Sequence, residues 1–67
     1  MKLIIAGKIR KIRSKRKISQ EVLAFNSNIS RRHMTNIELG RVDIRISTLI
    51  KISKALDVDP EELLSKL

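Results

Sequence analysis

The sequence predicts an all-α fold, a compact five-helix arrangement in a single domain over residues 1–67. Three observations predict it. Apolar residues recur at helical spacing, as in Ile5, Ile9 and Ile12. Serines, an Asp-Pro pair and a glycine stand where helices should start and stop. No segment shows the apolar–polar alternation of a half-buried strand.

The first helix is expected over about residues 3–15, with the Ile5, Ile9, Ile12 stripe inward and Lys8, Lys11 and Lys15 opposite. The second starts after Ser19, an N-cap, with Glu21 in its first turn where the helix dipole favours an anion. It ends near Asn26, and Asn28 in the following turn tolerates a left-handed backbone. Ser30 caps the third helix, which runs to about Leu39 with Met34 and Ile37 inward. Gly40 closes it as the residue after the C-cap. After a loop, Ser47 is expected to cap the fourth helix, whose inner stripe is Leu49, Ile52, Ser53 and Leu56. The fifth is short: Asp59-Pro60-Glu61-Glu62 supplies a cap, a proline at the first helical position and a capping-box glutamate, followed by Leu63, Leu64 and Leu67.

Charge narrows the function. The chain carries a net +8, and residues 1–17 hold eight Lys and Arg without one acid, whereas residues 47–67 hold three bases and four acids. That asymmetry suits a polyanionic partner: DNA, RNA or an anionic membrane. There is no cysteine, so disulfides and thiolate metal sites are excluded. No apolar run approaches a membrane span or a signal peptide, and a cytoplasmic location is the expectation. An enzyme is disfavoured, since no nucleophile–base pair, phosphate-cradling loop or metal cluster is visible, and no cofactor is expected. His33, the only histidine, lacks neighbours at metal-ligand spacing and reads as a phosphate contact or a plain surface position.

The second and third helices are short, with a turn of about three or four residues between them, the dimensions of a DNA-binding helix-turn-helix. On the third, the face opposite Met34 and Ile37 holds Arg31, Arg32, Thr35 and Asn36. Arginine can donate two bonds to guanine, asparagine can pair with adenine, and threonine can touch a thymine methyl. The competing reading of this face is a solvated polar surface. The competing function is a basic module that coats nucleic acid or membrane without sequence preference; the ordered caps argue for a defined fold instead.

The stretch Ser19-Gln20-Glu21-Val22-Leu23-Ala24, then Ile29-Ser30, Met34, Ile37-Glu38 and Gly40-Arg41, resembles the lambda-repressor-like helix-turn-helix family, also called Cro- or XRE-type. The similarity extends back to Ile9-Arg10-Lys11-Ile12-Arg13 and forward through Ser47–Ile52 and Ala55–Leu64. It implies a five-helix DNA-binding domain acting as a transcriptional regulator, of repressor, controller or antitoxin type, with double-stranded DNA as partner, a homodimer as the working form and a toxin as a possible protein partner. Residue by residue, it gives Gln20 a phosphate bond and a bracing role, and Ser30 a capping role that also touches phosphate. It makes Arg31, Arg32, Thr35 and Asn36 base contacts and lays Arg41 and Arg45 along the phosphates. It pairs Arg13 with Glu38 as a structural ion pair. Lys17, in the basic turn Lys15-Arg16-Lys17, is a further phosphate candidate, and Leu63, Leu64 and Leu67 are expected both to close the core and to join a second subunit. The chain departs from the family at Asn28, where glycine is usual, at Asp43-Ile44, where Asn-Pro is common, and at Ser53, where alanine is usual and whose hydroxyl can bond back to the preceding turn.

Overall fold

A computed structural model describes residues 2–64. It holds α1 (Lys2–Lys15), α2 (Gln20–Asn26), α3 (Arg31–Glu38), α4 (Ile46–Leu56) and α5 (Pro60–Leu64), with no strand among the described residues. Each helix contributes to one core: Ile5 and Ile9 from α1, Leu23 and Ala24 from α2, Met34 and Ile37 from α3, Leu49, Ile52 and Leu56 from α4, and Leu63 from α5. α2 packs on α3 and α4, α1 on α3 and α5, and α4 on α5. Helices this short are marginal alone, so this shared burial holds them.

The starts follow from side-chain oxygens. Ser19 Oγ accepts from the Val22 N–H at 3.1 Å, and Ser30 Oγ accepts from the His33 N–H at 3.0 Å. Each satisfies an otherwise orphaned amide. The expected cap at Ser47 is corrected: α4 begins two residues earlier than that cap implies, at Ile46, and its N-cap is Arg45, extended at φ −75°, ψ 151° and without a side-chain cap bond. Arginine has no acceptor to offer, so this helix start depends on packing. At α5, Pro60 takes the first helical position and the Glu62 N–H donates to the Asp59 carbonyl at 2.9 Å.

The first four helices all stop alike. Lys17, Asn28, Gly40 and Asp57 take left-handed backbone angles, with φ of 59°, 57°, 70° and 58°. After each, the next N–H reaches back five residues: Ile18 to Arg13, Ile29 to Ala24, Arg41 to Asn36 and Val58 to Ser53, at 2.9–3.0 Å. These are Schellman closures, which pair carbonyls the helix leaves unsatisfied. In three of them the following residue is apolar (Ile18, Ile29, Val58) and packs against the core. Only Gly40 adopts that conformation without steric cost, and it also leaves room for α1: a Cβ there would run into the Leu3 side chain. Ser53 is buried within α4, and its hydroxyl donates to the Ile50 carbonyl at 2.8 Å.

Candidate nucleic-acid interface

The two sides of α3 differ sharply. Met34, Ile37 and Glu38 are buried, while Arg31, Arg32 and His33 are exposed and Thr35 and Asn36 half-buried. The helix therefore cannot rotate about its axis without uncovering core. Its outward face is fixed from behind by a polar network. Glu38, 1% exposed, receives Arg13 Nε at 2.8 Å and Arg13 Nη2 at 3.0 Å, a two-point pairing that holds α1 to the end of α3. Arg13 Nη1 also donates to the Ile18 carbonyl at 3.0 Å, and Arg10 Nη1 donates to the Glu38 carbonyl.

Gln20 joins this network to the outward face. Its Nε2 donates to Glu38 Oε1 at 3.3 Å, and its Oε1 accepts from Thr35 Oγ1 at 2.7 Å. The side chain thus braces α3 against α2 and keeps one N–H and one lone pair for another partner. Arg31 and Arg32 project into solvent. Arg31 Nη1 lies 3.8 Å from Glu21 Oε1, but both side chains are largely exposed, so this pair is weak and easily exchanged for an anion. Ser30, Lys17, Arg41 and Arg45 are exposed as well.

The third group of sequence candidates separates. Leu63 is fully buried and closes its own core, one of the two roles expected of it, with no side-chain surface left for the other, because two adjacent leucines on a helix point about 100° apart and only one can face inward. Leu64 is 39% exposed. Leu67 lies outside the described residues. His33 follows the arginines on α3 and is exposed, as a surface position should be. Sequence reasoning missed Phe25, 83% exposed at the end of α2, which shares a shallow cleft with Asn28, Ile29 and Ser30. Its i, i+4 spacing from Glu21 was the available signal that it shares the side of α2 nearest Arg31. Arg10, one turn before Arg13, was likewise given no role. Among the described residues no three His, Asp or Glu side chains group to hold a metal ion.

The arrangement can present guanidinium, hydroxyl and amide groups from one rigid helix to a grooved polyanion. Comparison with known proteins agrees. The family model for helix-turn-helix proteins of the Cro/C1 type matches residues 9–63. The chain belongs to that family, and it is a sequence-specific DNA-binding regulator. It is 42% identical over 65 residues to the control protein C.BamHI of Bacillus amyloliquefaciens, covering 96% of this chain and 80% of the relative. It is 33% identical over 66 residues to the control protein C.SmaI of Serratia marcescens, covering 98% and 79%. The crystal structure of the restriction-modification controller protein C.AhdI from Aeromonas hydrophila superposes with a TM-score of 0.90 at 31% identity, covering 92% of this chain and 94% of that one.

Proposed function

We propose that the chain is a controller-type regulator that binds its operator as a homodimer, with α3 in the major groove. The observation that carries this is the pairing of exposed Arg31 and Arg32 with a helix whose opposite side is locked by Met34, Ile37 and the Glu38 network. Arg31, Arg32, Thr35 and Asn36 are the base-reading set. Gln20, Ser30, Lys17, Arg41 and Arg45 hold phosphates and set the register. Two recognition helices related by a twofold axis would meet half-sites one helical turn, ~34 Å, apart. Leu64 and the exposed pair Ile46 and Ile50, one turn apart on α4, are the apolar residues offered to a second copy. Similarity to control proteins favours the controller role over that of an antitoxin paired with a toxin. A DNA regulator works where the DNA lies, which in bacteria is the cytoplasm, and no catalytic role is proposed.

Selection from a random duplex library in the presence of unlabelled RNA and shuffled duplex tests this. A single motif with twofold symmetry is expected. Equal retention of all duplexes and of RNA would favour the non-specific coating module instead. No described helix is long and apolar enough to cross a membrane.

A further inference from the structure

The network behind α3 also fixes the direction of one hydrogen bond on its outward face. Glu38 is a carboxylate held by Arg13, and a carboxylate accepts only. The end of the Gln20 amide that faces Glu38 Oε1 must therefore be the NH2 group, which turns the amide oxygen to Thr35. The Thr35 hydroxyl has a single proton. It lies 2.7 Å from Gln20 Oε1 and 3.0 Å from the Arg31 main-chain carbonyl, and both are acceptors. Whichever takes the proton, none is left for an outside group. What Thr35 can show to DNA is its oxygen lone pairs and its methyl group.

We infer that the Thr35 hydroxyl hydrogen-bonds DNA only as an acceptor, selecting a base that offers an exocyclic amino group (adenine N6 or cytosine N4). Guanine N7 and O6 and thymine O4 offer only lone pairs in the major groove and meet an oxygen that cannot donate. Glu38 and Gln20 are then positioning residues for specificity, although neither faces a base in this role. The inference rests on the reading that α3 enters the major groove, and the experiment keeps the two apart.

The duplex selected from the random library is the probe. Thr35→Val keeps the shape and a methyl but loses the hydroxyl, and the base position whose preference it relaxes marks where Thr35 acts. At that position the amino group is then removed, with purine in place of adenine or 2-pyrimidinone in place of cytosine. In a separate duplex the purine N7 of the same base pair is replaced by carbon. Removing the amino group should weaken wild-type binding roughly five-fold, and removing N7 should not. Thr35→Val should be insensitive to both changes, and Thr35→Ser should keep the amino-group dependence. Loss on removing N7, with indifference to the amino group, overturns the inference and leaves the groove reading intact. So does a Thr35→Val protein whose preferences match wild type everywhere. A library that yields no motif overturns both.

Discussion

Arg13 and Glu38 meet through two parallel hydrogen bonds, 2.8 and 3.0 Å long, in which the acid is almost wholly enclosed and the base is 21% exposed. The pair is thus unequal, and its two deletions should differ. Glu38→Ala leaves a guanidinium that can turn to water while keeping the Ile18 carbonyl. Arg13→Ala strands a buried carboxylate with Gln20 as its remaining side-chain donor. Breaking a buried pair costs about 3–5 kcal/mol. Arg13→Ala should fall in that range and Glu38→Ala below it, in urea melts. Equal losses would show that the asymmetry of burial does not govern the pair.

Lys17 offers a prediction with two opposite signs. A lysine at φ 59° is strained by about 1 kcal/mol relative to glycine. Lys17→Gly should raise the melting temperature by about 4–8 °C, the scale expected for a domain of this size. If Lys17 also holds a phosphate, the same change should weaken DNA binding and reduce the slope of log K against log salt by about one. A stabilised variant with an unchanged slope would remove Lys17 from the phosphate contacts.

Gly40→Ala should move stability the other way. Alanine pays a steric penalty at φ 70°, and its Cβ would run into the Leu3 side chain, which must move aside. A loss of about 1–3 kcal/mol is expected. Thermal melts of Gly40→Ala beside Asn28→Gly form the check, because the latter has the same backbone geometry and should gain stability, not lose it.

These contrasts also mark how far the sequence was legible. Ser19, Ser30 and Gly40 announce their helix ends because a hydroxyl acceptor or a missing Cβ is what those positions need. Lys17 and Asp57 close helices the same way with no such mark, since packing of Ile18 and Val58 supplies the reason. The start of α4 was misplaced for a similar cause: Ser47 looks like a cap, but the chain turns helical at Ile46. The two bonds of Gln20 span 18 and 15 residues and depend on how α2 lies across α3, which periodicity does not encode. The exposed side of Phe25 runs against its hydrophobicity, so composition points the wrong way.

On α3, Arg31→Ala or Arg32→Ala should cost about 1–3 kcal/mol of binding at one guanine-containing position and relax the preference there. Gln20→Ala should weaken binding evenly across sequences and should also lower folding stability, because it releases both Thr35 and Glu38. Library selection with each variant, alongside melts, separates the two patterns. An unchanged motif for both arginine variants would exclude them from base reading.

Leu63 and Leu64 are neighbours with opposite surroundings, 0% and 39% exposed, and they separate core from association. Leu63→Ala removes side-chain volume from the closed core and should cost about 2–5 kcal/mol, lost equally at any protein concentration if the monomer is stable alone. Leu64→Asp should barely disturb the folded monomer, because its side chain already meets solvent. Placed against a second copy, however, its charge would be buried without a partner, which association does not tolerate. Sedimentation equilibrium should then show Leu64→Asp shifted to monomer, with operator affinity falling because the second half-site contact is no longer intramolecular. A Leu64→Asp protein that remains dimeric would move the interface elsewhere, and Ile50→Glu on α4 would be the next surface to test.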